Sequence, residues 1–351
     1  MASYTKDIEL AASYIREGKL AAFPTETVYG LGADCLNPVA VANIFKAKDR
    51  PFNDPLICHI YSKEQAYALF DFTPEVEAIF NILADAFWPG PLTMVTTALP
   101  HVPTITMGGG NTVGVRCPRH PIARELIRLS DRAIAAPSAN RFGHVSPTTA
   151  KHVMDDLSHA EDLLIIENDE STPVEIGIES SVVKLAADHV EFFRLGGVSI
   201  EEVREVLPAS IEVFYKQKAN KTNRQANAAP EMAPGQLLRH YAPDVPASCV
   251  NNDAEEVINM DIVSSSVIID YQNLLAHLQD KALLYISLGM KPAEASFKLF
   301  DALRTAELVD GATKILLADP RLTQDDSRGI TAMALYDRIF RATEGRCCKI
   351  N

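Results

Sequence analysis

Several apolar segments of this sequence are followed directly by polar or charged side chains that could bind an anionic ligand. The segment Pro24–Gly30, PTETVYG, comes after the apolar run LAAF and brings together two hydroxyls, a carboxylate and a phenol. Loops that follow regular elements carry function more often than the elements themselves. From its spacing alone, this segment could equally be a polar turn that leads into Gly30.

A group of cations lies a short distance further along the chain. Lys46, Lys48 and Arg50 close a helical segment before Pro51. One interpretation is a phosphate clamp, with the arginine as a fork and the lysine as a point charge. The other is a solvated helix end, where cations complement the helix dipole. As a helix-end surface cation, Arg50 would contribute little to stability.

The remaining candidates also lie in or after apolar segments. His59 interrupts the apolar segment LICHI, where a structural role is the alternative, and Arg116 ends the segment TVGVR. Open α/β sheets bind ligands at the ends of their strands. The segments PSAN, at residues 137–140, and SPT, at 146–148, suit either nucleotide contacts or helix capping. The chain has no GxxxxGK[ST] loop, and the third glycine of GxGxxG is missing.

Composition narrows the class of protein. A chain of 351 residues with 47% hydrophobic and 23% charged residues is typical of a globular protein of two domains. Its net charge of −13 argues against a general nucleic-acid coat, which needs a basic surface. Six cysteines without a CxxC spacing favour a reducing compartment. The N-terminal segment MASYTKDIEL does not resemble a signal peptide, and no apolar run spans a membrane, so we expect a cytoplasmic protein.

Turn residues and hydrophobic periodicity predict alternating strands and helices before residue 216. The expected helices are Lys6–Glu17, Pro38–Ala47, one from Thr73-Pro74, Pro121–Ser130, one near Thr148–Leu157 and one after the capping box of Ser199 and Glu202. The expected strands are Leu20–Phe23, Leu56–Ile60, Leu92–Ala98, Thr112–Arg116, Ala133–Ala136, Ser181–Leu185, Val190–Arg194 and Ile211–Tyr215. Strand pairs without an intervening helix favour a mixed sheet.

A polar segment separates this part of the chain from the rest. Residues 216–235 contain no Ile, Leu, Val or aromatic side chain, which is typical of a linker. We therefore predict domains at 1–215 and 244–351, joined by a linker at 216–243. In the second domain, strands Val267–Ile269, Leu283–Ile286 and Ile315–Ala318, with helices Tyr271–Gln279, Ala293–Val309 and Thr331–Thr343, predict a small parallel α/β sheet.

Taken together, the motifs resemble one family, the L-threonylcarbamoyladenylate synthases, which are built on the YrdC-like domain. The matching text is FPTETVYGLGAD, KAKDRPFNDPLICHI, FWPGPLT, TVGVRCPRHPIA, APSANRFGHVSPT and IESSVV, in the family's order across most of residues 20–195. The family's KxR…SxN signature matches Lys48, Arg50, Ser138 and Asn140. The segment APGQLLRHYAP and the ending SRGITAMALYDRIFRAT resemble those of the longer, two-domain members.

The resemblance implies both a fold and a reaction. The fold would be α/β, a twisted mixed sheet with a concave, positively charged cavity, followed by a small Rossmann-like domain with a parallel sheet. The reaction would join L-threonine, bicarbonate or CO2, and ATP into threonylcarbamoyl-AMP, with release of pyrophosphate. Mg²⁺ would accompany the ATP. The product would pass to a threonylcarbamoyl transferase complex that modifies the tRNA adenosine next to the anticodon, and a weak tRNA contact is compatible with that role.

The resemblance also assigns roles to residues. Lys48 and Arg50 would be catalytic and contact the phosphates of ATP, with no metal ligand supplied by the protein. The other expected ATP contacts are Thr112, Ser138, Asn140, Ser146 and Arg194. The expected L-threonine contacts are Thr27, His59, Arg116, the backbone at Ala136, and Ser180.

The chain departs from the family pattern at two places. Asp54 stands where members commonly have Asn, and a carboxylate there would repel a triphosphate unless a cation intervenes. In the linker, Leu237 and Leu238 replace a basic residue and a tyrosine, which leaves 239–241 as the candidate nucleotide contacts.

Three other functions compete with this interpretation. A carbamoyl transferase of hydrogenase maturation would normally carry CxxC motifs and an acylphosphatase segment, which this sequence lacks. An RNA-binding module without chemistry conflicts with the net charge of −13. A paralogue that has lost activity is the third alternative, and the substitutions at Asp54 and Leu238 are what favour it.

Overall fold

The computed structural model describes residues 1–168, 174–215, 240–322 and 330–351. It divides into two compact units. The first contains Met1–Phe142 and the described residues between 147 and 215, and the second contains Gly143–Ser146 and the described residues from 240 onward. Most of the predicted linker lies outside the described residues, so the domain boundaries stay a prediction.

The first unit is a mixed α/β structure. Its strands are β1 (Ser3–Thr5), β2 (Leu20–Phe23), β3 (Gly30–Asp34), β4 (Ile57–His59), β5 (Leu92–Thr97), β6 (Thr112–Arg116), β7 (Ile134–Ala135), β8 (Leu163–Ile166), β9 (Ser181–Leu185), β10 (His189–Arg194) and β11 (Glu212–Tyr215). Its helices are α1 (Ile8–Arg16), α2 (Pro38–Lys48), α3 (Pro74–Phe87), α4 (Pro121–Ser130), α5 (Ala150–Leu157) and α6 (Ile200–Val206), with a 3-10 helix at Lys63–Ala68.

One mixed sheet runs through this unit. The order of its strands is β1-β8-β2-β3-β7-β4-β6-β5-β9-β10-β11. Strands β4 and β6 are parallel, whereas β5 and β6 are antiparallel, so the predicted mixed sheet is confirmed. Strand β3 was not predicted, because its sequence GLGAD contains two glycines, which are poor strand formers. It is held as a strand by pairing with β2 and β7.

Local capping explains where the helices begin and end. Asp7 accepts a hydrogen bond from the Leu10 N–H at the start of α1, and Gly18 follows the helix with φ of 77°. Asn37 caps α2 and Pro38 is its first residue, as the sequence predicts. Helices α1 and α4 pack on the sheet through a buried cluster that includes Ala12, Ile15, Phe23, Leu126 and Ile127.

The second unit contains a smaller sheet. Its strands are β12 (Ala247–Val250), β13 (Glu256–Ile258), β14 (Ser266–Asp270), β15 (Leu284–Ser287), β16 (Lys314–Ala318) and β17 (Cys347–Ile350). Its helices are α7 (Met260–Ser264), α8 (Pro292–Glu307) and α9 (Ala332–Ala342), with 3-10 helices at Ala276–Lys281 and Pro320–Leu322. The order is β13-β17-β12-β16-β14-β15, and every pair is parallel, which confirms the predicted parallel sheet.

The sequence was wrong about one helix of this unit. An α-helix was expected at 271–279, but the structure has a 3-10 helix at Ala276–Lys281. Gln272 and Asn273 both have positive φ, 53° and 59°, and two successive left-handed residues cannot continue a right-handed helix. The buried Asp270 stabilises the turn by accepting a hydrogen bond from the Leu275 N–H.

Among the described residues, no helix combines the length and the apolar character that crossing a lipid bilayer requires. All six cysteines are free thiols.

A glycine allows two backbone segments of the first unit to approach each other. A Cβ on Gly196 would lie 2.3 Å from the Glu179 carbonyl oxygen and 2.5 Å from the Ser181 nitrogen. We expect Gly196→Ala to lower the free energy of unfolding by about 1–3 kcal/mol, because backbone atoms must shift to admit the methyl group. Urea denaturation measures this loss.

The matched control is Gly114→Ala in β6. A Cβ there would make an ordinary contact, 3.4 Å from the Thr93 methyl carbon, so the effect should stay below about 1 kcal/mol. Equal losses in both variants would contradict the close approach at Gly196.

Candidate active site

Strand register brings three of the predicted threonine contacts together. His59 of β4 and Arg116 of β6 are direct partners across a parallel pair, so their side chains share one face of the sheet. Arg116 Nη1 donates a hydrogen bond of 2.9 Å to Thr27 Oγ1, and its Nε donates to the Gly90 carbonyl at 3.3 Å. Arg116 is only 4% exposed, so this is a buried guanidinium held in place by the protein.

A carboxylate that the sequence did not single out balances this charge. Glu26 Oε1 lies 2.8 Å from Arg116 Nη2, and Glu26 Oε2 accepts a hydrogen bond from the Arg119 N–H. Burial raises the pKa of Glu26, but the charge and hydrogen bonding of Arg116 outweigh it and leave that pKa below its usual value. The sequence feature that could have identified Glu26 is its position beside Thr27, where it is the one acidic residue of PTETVYG.

His59 is a neutral member of this group. Burial, and then the charge of Arg116, lower the pKa of His59 from 6.5 to about 3. Its Nδ1 lies 3.2 Å from the Ile57 carbonyl oxygen. The ring therefore offers a ligand hydrogen bonding without adding a positive charge near neutral pH.

Ser180 and Arg194 form a second group. Arg194 donates from Nε to the Ser180 carbonyl at 3.0 Å and from Nη2 to Ser180 Oγ at 3.2 Å. The hydroxyl oxygen of the buried Thr93 lies 2.8 Å from Ser180 Oγ. Thr93 was not among the site residues predicted from the sequence. The sequence feature that could have identified Thr93 is its hydroxyl within the otherwise apolar start of β5. The structure thus joins a predicted threonine contact directly to a predicted nucleotide contact.

The two halves of the KxR…SxN signature meet at Lys48. Its ammonium donates to the Ser138 carbonyl at 2.6 Å and also to the Asn140 carbonyl. Ser138 Oγ donates to Asn140 Oδ1. Lys48 is 1% exposed, so a solvated helix end is wrong for this residue. Asp49, with φ of 52°, ends the helix immediately after it.

Arg50 is also buried, with an exposure of 6%, which corrects the expectation of a surface cation. Its Nη2 lies 3.0 Å from Asp54 Oδ2 and donates to the Pro55 carbonyl. Its guanidinium carbon lies 5.9 Å from the centre of the Phe142 ring. The sequence raised the concern that Asp54 would repel phosphates, and the structure shows Arg50 balancing its charge.

The other predicted contacts lie in different surroundings. Ala136 is buried, and its N–H donates to the Ile57 carbonyl at 2.9 Å. Thr112 is half-buried at the opposite end of β6 from Arg116. Ser146 is buried and belongs to the second unit. His240 and Tyr241 are buried in that unit, whereas Leu237, Leu238 and Arg239 lie outside the described residues.

Comparisons with known proteins agree with this fold. A family model described as "Telomere recombination", for Sua5, YciO and YrdC, matches residues 13–196. A second model, "Threonylcarbamoyl-AMP synthase, C-terminal domain", matches residues 198–343. The threonylcarbamoyl-AMP synthase of Pyrococcus abyssi is 45% identical over 71% of this chain and 69% of its own length, and that of Bacillus subtilis is 39% identical over 71% and 68%.

A solved structure covers both units. The crystal structure of P. abyssi Sua5 complexed with L-threonine superposes with a TM-score of 0.80 at 35% identity, covering 100% of both chains. The chain therefore belongs to the threonylcarbamoyl-AMP synthase family and is of its two-domain type, as its motifs predicted. It is an enzyme of the nucleotidyltransferase class, and its family acts in tRNA modification.

The buried Arg116–Glu26 pair generates a stability prediction. We expect Glu26→Gln to lower the free energy of unfolding by about 3–5 kcal/mol, because it leaves the guanidinium buried without its counter-charge. The double variant Glu26→Gln/Arg116→Gln should lose less than the sum of the two single variants. Urea denaturation of the four proteins of the cycle gives the coupling.

The control for that cycle is Glu125→Gln, which breaks the exposed Arg128–Glu125 pair. Its effect should be far smaller, because exposed ion pairs contribute little to stability. Additive losses at Glu26 and Arg116 would show that the two charges do not depend on each other.

The Arg50–Asp54 pair generates a second prediction. We expect Arg50→Ala to cost about 3–5 kcal/mol of unfolding free energy, because Asp54 would lose its counter-charge inside the protein. Adding Asp54→Asn to that variant should recover part of the loss, whereas Lys46→Ala, at an exposed position of α2, should have little effect. Similar melting temperatures for Arg50→Ala and Lys46→Ala would restore the interpretation of Arg50 as a surface cation.

His59 predicts a pH dependence of stability. Below about pH 6.5 His59 binds a proton in the unfolded chain but stays neutral in the folded chain, where its pKa is about 3. The free energy of unfolding therefore falls as the pH is lowered from about 6.5 toward 3. Between about pH 6.5 and pH 4.5 this residue should account for roughly 2–3 kcal/mol of lost unfolding free energy. His59→Gln should lack that component.

The measurement is urea unfolding at neutral and acidic pH for three proteins: the unmodified chain, His59→Gln, and His101→Gln at an exposed position. His101→Gln should retain the acid loss. If His59→Gln retains it as well, the buried ring is not its source.

Proposed function

We propose that this protein joins L-threonine, bicarbonate or CO2, and ATP into L-threonylcarbamoyl-AMP and releases pyrophosphate. The observation that carries the proposal is the buried guanidinium of Arg116. Its Nη2 forms a 2.8 Å ion pair with Glu26, and its Nη1 and Nε donate to Thr27 Oγ1 and the Gly90 carbonyl, so the protein holds the guanidinium in one orientation. A guanidinium has five N–H donors, and a planar fork of such donors suits a carboxylate. The P. abyssi protein, whose structure contains L-threonine, supports an amino-acid carboxylate as the partner.

The other members of this group suit the rest of threonine. The Thr27 hydroxyl and the neutral His59 ring offer hydrogen bonds beside Arg116, and Ser180 is fixed by Thr93 and Arg194. We assign these groups to the hydroxyl and amine of the amino acid. A site that recognises a hydroxyl by hydrogen bonding discriminates strongly against analogues that lack it.

The chemistry requires alignment more than covalent participation of the protein. The threonine amine captures CO2 as a carbamate, and a carbamate oxygen attacks the α-phosphorus of ATP while the bond to pyrophosphate breaks. Two anions must be held together and charge on the leaving group must be neutralised. Lys48 and Arg50 are the cations proposed for this role, because Lys48 binds the Ser138 and Asn140 carbonyls and Arg50 lies near the ring of Phe142, just after that segment. Thr112, Ser146 and Arg194 stay predicted nucleotide contacts.

We infer that Mg²⁺ arrives with the ATP. Asp54 is the carboxylate next to Arg50, and its charge is already balanced by that guanidinium. This arrangement fits an ion whose ligands are phosphate oxygens and water, which is how Mg²⁺ is commonly held in nucleotide sites. When bound, it would neutralise charge on the phosphates.

The product would serve threonylcarbamoyl modification of the tRNA adenosine next to the anticodon. A separate threonylcarbamoyl transferase complex would take the product up. A chain with net charge −13 should contact tRNA weakly at most, because nonspecific affinity depends on neutralising phosphates.

The direct test incubates the full chain with ATP, Mg²⁺ and bicarbonate, with and without L-threonine. We expect pyrophosphate release that requires threonine, with one threonylcarbamoyl-AMP per pyrophosphate by mass spectrometry. 2-Aminobutyrate, which lacks the hydroxyl, should replace threonine poorly. Release of pyrophosphate without threonine, or none at all, would overturn the proposal, and a tRNA gel shift without nucleotide would favour an RNA-binding module.

A variant pair tests the role of Arg116. Arg116→Lys keeps the charge and loses the fork, so the KM for threonine should rise at least about tenfold, while the KM for ATP changes little. The control is Arg124→Lys, where the guanidinium lies over the Tyr61 ring instead. An unchanged KM for threonine in Arg116→Lys would remove this residue from the binding site.

A further inference from the structure

The second unit contains a pair of thiols brought together by strand register. Cys249 of β12 and Cys347 of β17 are direct partners across a parallel pair. Neighbouring strands lie about 4.8 Å apart, and partners across a pair point to the same face of the sheet. Disulfides form between Cα atoms about 4.4–6.8 Å apart, so this register meets the requirement. The two thiols are close enough to shift each other's pKa, in opposite directions.

The two members of the pair differ in accessibility and acidity. Cys249 is buried, whereas Cys347 is partly exposed. The neighbouring Cys249 thiol, and then the charge of Arg321, lower the pKa of the Cys347 thiol to about 7 against the effect of burial. The neighbouring Cys347, together with burial, raises the pKa of Cys249. Cys347 is therefore the sulfur that becomes a thiolate near neutral pH.

Charged groups around Cys347 are themselves well fixed. Arg321 forms an ion pair of 2.7 Å with the buried Asp319, and its guanidinium carbon lies 4.1 Å from the centre of the Tyr336 ring. Asp319 also accepts a hydrogen bond from Asn251 at 2.9 Å. Partly exposed cysteines beside a fixed cation are the reactive ones, because the thiolate is the nucleophile.

We propose that Cys249 and Cys347 form a redox-active dithiol site whose reactants are low-molecular-weight disulfides such as oxidised glutathione. The Cys347 thiolate attacks one sulfur of the disulfide, the S–S bond breaks, and one glutathione leaves as a thiolate that takes up a proton. Cys249 then loses its proton and attacks the Cys347 sulfur, which releases the second glutathione. Two protein thiols are oxidised to one disulfide, and one glutathione disulfide is reduced to two thiols.

The remaining cysteines provide comparisons inside the same molecule. Cys58 raises the pKa of Cys35, but both thiols are fully buried, so a soluble disulfide cannot reach them. Cys348 follows Cys347 directly, is buried, and points to the opposite face of the sheet because side chains alternate along a strand. Cys347 alone among the six cysteines combines a lowered thiol pKa, partial exposure to solvent and a neighbouring thiol, that of Cys249.

The test uses the full chain, first reduced and then equilibrated in glutathione buffers of increasing oxidised fraction. Free thiols are trapped with an alkylating reagent, and peptides are analysed by tandem mass spectrometry. We expect a Cys249–Cys347 cross-link whose fraction follows the buffer and returns to zero with dithiothreitol. Before oxidation, Cys347 should be alkylated at least about tenfold faster than Cys348 at neutral pH.

Three variants assign the steps. In Cys249→Ser, a glutathione adduct should accumulate on Cys347, because the resolving thiol is missing. In Cys347→Ser, neither an adduct nor a cross-link should form at Cys249. Cys348→Ser should keep the cross-link, and it also removes the ambiguity of two adjacent cysteines in one peptide.

The proposal is overturned by any of three results. These are two fully alkylated thiols after oxidation, an adduct on Cys347 that persists in the unmodified chain, or a cross-link that joins other cysteines. Urea denaturation of each reduced variant confirms that it is folded before its thiols are compared.

Discussion

The site depends on keeping positive charge inside the protein. Arg116 and Arg50 are both removed from water, and a buried ion without a partner costs several kcal/mol. Each has its own carboxylate, Glu26 for Arg116 and Asp54 for Arg50. The pairing holds each guanidinium in one orientation, and it also means that the two arginines bring less net charge to a ligand than their number suggests. In the proposed function, ligand recognition by these arginines would therefore rely on directed hydrogen bonds more than on a general positive field.

The mixed sheet positions these groups. Because β4 and β6 are parallel, His59 and Arg116 lie side by side. Strand β5 pairs in parallel with β9, which brings Thr93 next to Ser180, the residue that precedes β9. Gly196 lets the chain after β10 pass close to Ser180, which Arg194 binds twice. Short strands and close turns therefore hold the side chains that the proposed function assigns to two substrates.

Strand register explains the second unit in the same way. Cys249 and Cys347 are far apart in the chain and become neighbours only because β17 inserts between β13 and β12. A parallel sheet brings residues at equal heights together on one face. The pair of thiols follows from that topology, and the neighbouring Cys249, together with the charge of Arg321, lowers the pKa of the Cys347 thiol.

The sequence by itself determined the family, the mixed and parallel sheets, and helices such as α2 with its Asn37 cap. These signals lie in neighbouring residues: a cap, a proline, an apolar period or a short motif. It also pointed to Lys48, Arg116 and Ser138, whose chemistry is visible from residue type. Only the tertiary structure decided that Glu26 balances Arg116, that Asp54 is neutralised by Arg50, and that Cys249 meets Cys347. Burial and strand register decide such partnerships, and both depend on how distant segments pack.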